Sequence, residues 1–298
     1  MHDFDYQAPA TLDEALALLA EQNGNARPLA GGTDLIDHVR MGRLKPNLLI
    51  DLKKIPELNE LKIDEQGLWL GAAVPCYRIT ENPEIAKSYS ALADSCHIIG
   101  GIQIQSRASV GGNLCNSGPA ADSTPSLIVL NATCQIASKN GNREIPAESF
   151  CTGPGKNVME PGELLVGLRM EKPGPNSGSH YRRLIPRNEM DIAVVGAGAF
   201  VELDKEGQTI VSARIALGAV APTPLFAKEA SDLLAGQTIS EDLLKKAAAA
   251  AREIVTPITD MRGTIDYRRH VTGVLTERVL QAAIARAKGE DIHYTPGR

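Results

Sequence analysis

The chain has 298 residues, 43% hydrophobic and 22% charged, which suits two domains or one domain with a large appendage around an ordinary core. A net charge of −5 and an aromatic content of 4% exclude a basic nucleic-acid surface, an anionic-membrane surface and a base-stacking platform. The acidic start MHDFDYQAPA has no apolar signal core, and no apolar run reaches transmembrane length, so a cytoplasmic protein with no membrane span is expected.

The five cysteines (Cys76, Cys96, Cys115, Cys134 and Cys151) form no CxxC or CxC pair and read as buried or half-buried thiols. The histidines stand singly, so no metal site is expected.

In chain order, Thr11 and Glu14 form a capping box ahead of an apolar stripe of Leu12, Ala15, Leu16 and Leu19, and Asn23-Gly24 ends that helix. Arg27–Ala30 reads as a short strand running into Gly31-Gly32-Thr33-Asp34, with a new helix following and Thr33 as its N-cap. Leu48–Leu52 is a second strand, which makes the opening region a small α/β unit. Leu68–Ala72 has strand character, Asn82-Pro83 starts a helix, and Leu92–Ile99 continues as helix. Asn140-Gly141 is a hairpin turn between Thr133–Ser138 and Arg143–Pro146, and Glu163–Met170 closes this unit as a strand. Glu171–Gly178 is a proline- and glycine-rich linker. Beyond it come three strand-like runs, at Ser179–Leu184, Ala193–Leu203 and Thr209–Gly218. Helices follow at Lys228–Ala235, at Glu241–Val255 behind Ser240, and at Ile265–Lys288. The arginines of the last helix (Arg268, Arg269, Arg278 and Arg286) read as a solvated face or a subunit contact.

Two glycine loops carry the chemistry. Strand, glycine turn and helix start at residues 29–35 collect amide donors at one point, as an anion site does, although a plain glycine turn would account for the pattern too. The second loop, Ser109-Val110-Gly111-Gly112-Asn113, has no lysine or arginine in the stretch from Ala108 to Leu130. An anion there relies on backbone N–H groups, dipoles and hydroxyls, which favours a buried diphosphate; the alternative is a pair of tight turns. Gly153-Pro154-Gly155-Lys156 has neither the spacing nor the hydroxyl of a P-loop, and Gly196-Ala197-Gly198 lies inside a strand-like run. No nucleophile elbow, Cys–His pair or carboxylate dyad is present, so a cofactor has to supply the chemistry.

Together the loops at 30–34 and 109–113, with Pro119-Ala120-Ala121-Asp122 behind them, resemble the FAD-binding medium subunit of molybdenum hydroxylases, the family of xanthine dehydrogenase and carbon monoxide dehydrogenase. Further matches are Ile104-Gln105, Thr152–Lys156, Glu163-Leu164-Leu165, Asp191-Ile192-Ala193 and Thr264–Leu275, so the resemblance runs along the whole chain. It implies an α+β fold: a vanillyl-alcohol-oxidase-type (PCMH-type) FAD-binding domain over 1–175, with two α/β subdomains at about 1–58 and 59–175. A C-terminal domain over 176–298 is implied too, with a three-stranded antiparallel sheet and helices.

By resemblance, Leu29, Ala30, Gly31, Gly32, Thr33, Asp34 and Leu35 of the first loop wrap the FAD pyrophosphate with Ser109, Val110, Gly111, Gly112 and Asn113 of the second. Asp122 matches an FAD-contacting aspartate, Leu165 and Arg183 fall at further flavin contacts, Cys115 lies near the isoalloxazine, and Ile185–Ala193 is the variable loop facing the ring. Ser109 stands for the commoner Thr, Arg183 for Lys, and Gly118 where Ser is frequent; the cysteine-rich iron–sulfur insertion of some relatives is absent.

The function so implied is electron transfer, with no catalytic side chain of its own. A molybdopterin-binding large subunit oxidises the substrate at a molybdenum cofactor, and a small [2Fe-2S] subunit relays the electrons. This chain passes them through FAD to NAD, quinone or another acceptor. The alternatives are a stand-alone FAD-dependent oxidoreductase with its own substrate pocket and a flavin-free scaffold subunit.

Overall fold

The computed structural model describes residues 2–187 and 189–292. The chain opens on β1 (Asp5–Gln7), α1 (Leu12–Gln22), β2 (Ala26–Leu29), α2 (Leu35–Arg40) and β3 (Leu48–Asp51), whose strands form a parallel sheet in the order β1-β3-β2. All four residues of the central β3 are buried, as parallel strands covered on both faces require. Thr11 Oγ1 accepts from Glu14 N at 3.3 Å, while the Glu14 carboxylate turns back to Ala10 N at 3.0 Å rather than to Thr11. Asn23 closes α1 in the left-handed region at φ 44°.

The second unit is an antiparallel sheet wrapped around inserted helices. Its strands are β4 (Leu61–Asp64), β5 (Gly67–Gly71), β6 (Thr133–Ser138), β7 (Gly141–Pro146) and β10 (Leu164–Met170), ordered β4-β5-β10-β6-β7. The small hairpin of β8 (Cys151–Gly153) and β9 (Lys156–Asn157) accounts for the Gly-Pro-Gly-Lys sequence as a turn. Between β5 and β6 the chain leaves the sheet for a run of helices. Of these, α3 (Ser90–Ile98), α4 (Val110–Asn116) and α5 (Ser123–Val129) bear on the site. The helical stretch expected through Ile99 divides at Tyr89, whose φ −124° and ψ 44° leave the helical region while its ring is buried.

The last unit pairs β11 (Ser177–Leu184), β12 (Val195–Leu203) and β13 (Thr209–Gly218) antiparallel, extended by two-residue edges at Leu225–Phe226 and Gln237–Thr238. Helices α6 (Glu241–Glu253) and α7 (Ile265–Ala287) cover it, and Ser240 Oγ accepts from Leu243 N as the N-cap. Each of the two regions has its own apolar core, but Tyr181 and Ala216 of the C-terminal sheet belong to the core of the N-terminal region.

Two arginines of α7 correct the solvated-face reading. Arg268 is buried, with Nη1 donating to Val194 O at 2.6 Å and Ala219 O at 3.0 Å, and Nη2 meeting Asp260 at 2.7 Å. Arg286 donates to both oxygens of Asp94 on α3, at 2.6 and 3.0 Å. Helical periodicity reports which face a residue lies on. It does not report what long side chain a neighbouring element will meet there. Arg269 and Arg278 are exposed, as expected. No helix among the described residues is long and apolar enough to cross a membrane.

Candidate functional site

The first glycine loop joins the end of β2 to α2. Gly32 adopts φ +78°, a conformation L-residues avoid. At Gly31 the constraint is space: a Cβ would lie 2.0 Å from the carbonyl oxygen of Arg107, two residues before the second loop. The tertiary fold therefore seats the first loop directly against the approach to the second. Arg107 Nε donates to Gly31 O at 3.3 Å, which ties the two segments together.

Thr33 is not the N-cap of α2. Asp34 takes that position in the αR region, and its side chain makes no capping bond. Capping would have consumed donors here. Instead, the N–H groups of Gly31, Gly32, Thr33, Asp34 and Leu35 meet no acceptor among the described residues. The first internal bonds run from Ile36 N to Gly32 O and from His38 N to Asp34 O. These five consecutive N–H groups are open to an acceptor, and because α2 spans only 6 residues, individual N–H groups rather than a helix dipole would serve an anion there.

The second loop is more regular than the sequence suggests: Gly111 and Gly112 form the first turn of α4, not a free loop. Ser109 is its N-cap, accepting from Gly112 N at 3.0 Å, and Asn113 N closes on Ser109 O at 2.9 Å. Gly111 has a packing reason, because a Cβ would meet Ala72 O at 2.5 Å and Ala72 Cβ at 2.6 Å. Val110 is fully buried behind it. Asn113 Oδ1 accepts from Ser123 Oγ at 2.6 Å, which fastens α4 to α5. Cys115 is half-buried near the end of α4, its carbonyl accepting from Asn157 Nδ2 at 2.9 Å, and burial pushes its thiol up to about 12.

Asp122 and Arg183, which the sequence places 61 residues apart, form a buried pair with Arg183 Nη1 2.5 Å from Asp122 Oδ2. Tyr181 Oη donates to the other carboxylate oxygen at 2.9 Å, and Arg183 Nη2 donates to Ile98 O at 2.8 Å. Burial pushes the Asp122 carboxyl up to about 6 against the pull of Arg183 and the Tyr181 hydroxyl. Both oxygens of Asp122 are thus engaged across the junction of α5 and β11. Leu165 lies in the core on β10, beside the irregularity between Leu165 and Gly167. The 185–193 segment leads from β11 to β12, with Met190 and Ile192 exposed; Asn188 lies outside the described residues.

Three residues near these groups were not singled out from the sequence. Tyr181 is one of the alternating inward positions of β11, with nothing local to advertise a carboxylate partner. Lys53 follows β3, and its Nζ lies 3.4 Å from Ala30 O. Arg107 stands one residue outside the cation-free stretch. Among the described residues no group of His, Cys, Asp and Glu could hold a metal ion.

Comparison with known proteins shows the family and the fold. The family described as "FAD binding domain in molybdopterin dehydrogenase" matches residues 2–170, and "CO dehydrogenase flavoprotein C-terminal domain" matches residues 180–283. The carbon monoxide dehydrogenase medium chain of Afipia carboxidovorans is 33% identical over 285 residues, covering 96% of this chain and 98% of that one. A xanthine dehydrogenase FAD-binding subunit of Escherichia coli O157:H7 is 31% identical over 293 residues, covering 97% and 99%. The crystal structure of a Cu,Mo-CO dehydrogenase superposes with a TM-score of 0.91 at 31% identity, over 96% of this chain and 99% of that one. The chain therefore belongs to the family of FAD-binding medium subunits of molybdenum-dependent dehydrogenases.

Proposed function

We propose that the chain holds the FAD diphosphate on the unpaired amides of residues 31–35, facing the Ser109-capped start of α4. It would do so as the electron-transfer subunit of a molybdenum hydroxylase complex. The single observation that carries this assignment is the run of five N–H groups without acceptors, beginning at Gly31, whose added Cβ would strike the backbone of Arg107. The backbone donors suit the group: a diphosphate is acceptor-only, and the N–H groups of residues 31–35 have no acceptor of their own among the described residues.

FAD supplies one- and two-electron redox chemistry when bound. The chain's own residues bind it, orient it and shape its surroundings. Leu29, Ala30, Gly31, Gly32, Thr33, Asp34 and Leu35 form one side of the cradle, and Ser109, Val110, Gly111, Gly112 and Asn113 the other. Asp122, paired with Arg183, sets the relation between the cofactor region and β11. Leu165 and Cys115 are assigned to the flavin side of the site, Cys115 near the isoalloxazine. Residues 1–175 are assigned to the cofactor domain, in subdomains 1–58 and 59–175, and 176–298 to the C-terminal domain. The second apolar core, which starts at Val194, supports a separate C-terminal domain, while a single core runs through both proposed subdomains of 1–175.

The partners in this reading are a molybdopterin-binding large subunit and a small [2Fe-2S] subunit, with NAD or quinone as the final acceptor. Relatives named as medium chains and FAD subunits support it. Five free thiols suit a reducing, cytoplasmic setting. The purified chain should carry a flavin spectrum or acquire one on addition of FAD, and denaturation should release FAD. A refolded chain that neither retains nor binds FAD would overturn the assignment.

A further inference from the structure

We propose that Lys53 and Arg107 are positioning residues that lock two successive peptide planes of the first glycine loop, so that Gly31 and Gly32 present their N–H groups to the diphosphate. This rests on the FAD reading above and adds to it a device by which the cradle is held open.

Across a trans peptide the carbonyl of one residue and the N–H of the next point in opposite directions, and the described chain contains no cis bonds. Lys53 Nζ lies 3.4 Å from Ala30 O, and Arg107 Nε donates to Gly31 O at 3.3 Å. Two consecutive carbonyls are therefore drawn toward cations. The N–H groups of Gly31 and Gly32 in those same planes are turned the other way, and both are among the donors with no acceptor. Such restraint matters at this place because each of these two peptides is flanked by glycine, whose backbone freedom lowers the cost of turning the plane over. A flipped plane would present a carbonyl oxygen to an anion and reverse the local dipole.

Both cations are themselves braced. Lys53 Nζ is 2.6 Å from Asp51 Oδ1, and Asp51 also accepts from Lys53 N at 3.0 Å and from the Tyr6 hydroxyl. The Lys53 charge is thus largely balanced by its own neighbour, so its service to the loop is direction rather than long-range attraction. Arg107 is fixed by its backbone, with N–H donating to Ile104 O at 2.9 Å and its carbonyl packed under Gly31. Because only Ala108 separates Arg107 from Ser109, the orientation of the first loop is coupled to the placement of the second.

The test uses the full chain stripped of flavin and titrated separately with FAD, ADP, riboflavin and adenosine, comparing wild type with Lys53→Met, Arg107→Met and the rescue variant Lys53→Arg. Each methionine variant is expected to weaken FAD and ADP by roughly tenfold, the scale of one lost hydrogen bond to a charged group. Riboflavin and adenosine, which lack the diphosphate, should be unaffected, and Lys53→Arg should restore FAD affinity. Unchanged FAD and ADP affinity in both methionine variants overturns the proposal while leaving the FAD reading standing. Equal losses for all four ligands also overturn it, since a general loosening would not single out the diphosphate. A wild-type chain that binds neither FAD nor ADP removes the parent reading and this one with it.

Discussion

Substituting Gly31 by alanine tests the junction of the two loops directly. The new Cβ would lie 2.0 Å from Arg107 O, 2.5 Å from Arg107 C and 3.0 Å from Ala108 N. All three are backbone atoms, so no side chain can swing aside. Relief requires the two loops to part by roughly 1 Å or more, since ordinary van der Waals contact between such atoms needs about 3.4 Å. Overpacking of this kind costs about 1–3 kcal/mol. Because the strain falls between the two halves of the cradle, it should appear as FAD affinity weakened by about 5- to 150-fold. Titration of the flavin-free chain with FAD measures this, alongside thermal unfolding without flavin. Gly118→Ala is the control, because a Cβ there meets nothing within 4 Å and its φ is not positive. Wild-type FAD affinity in Gly31→Ala would refute both the close approach and the role assigned to it.

Other expectations follow from the buried charges. Asp122→Asn leaves Arg183 buried with its main counter-charge gone and should cost about 3–5 kcal/mol by urea unfolding. The double variant Asp122→Leu with Arg183→Leu should recover much of that loss. Arg268→Met removes donors to Val194 O, Ala219 O and Asp260 from a buried position, and should lower the unfolding free energy from urea titration by about 2–4 kcal/mol. Asp94 gives a pH signature: burial pushes its carboxyl up, but the nearby His180 and Arg286 outweigh this and hold it below the ordinary carboxylate value. Its contribution is therefore complete above the ordinary aspartate pKa and lost as pH falls through the lowered folded value. The gap in stability between wild type and Asp94→Asn should narrow as pH drops below about 4, and a gap constant from pH 7 to pH 3 would count against the pairing.

Much of the architecture was legible because it is written in short-range signals. The Thr11 N-cap, the Asn82-Pro83 helix start, the Asn140-Gly141 hairpin and the Ser240 cap each act within a few residues. At the two glycine loops the local signals pointed to the wrong helix starts. Thr33 looked like a cap, yet helix α2 begins later and its leading amides stay open. Gly111 and Gly112 looked like a loop, yet Ser109 caps them into a helix packed on Ala72.

The family motif, the paired glycines and the absence of any self-sufficient catalytic group were fully present in the linear order of residues, because glycine freedom and side-chain chemistry are local properties. That Gly31 rests on Arg107, that Lys53 reaches Ala30, and that Asp122 meets Arg183 and Tyr181 were decided only by the tertiary structure. Such contacts depend on how sheets and helices distant in sequence are brought together. A side chain's charge is visible in the sequence, but the buried neighbour that balances it is chosen by packing.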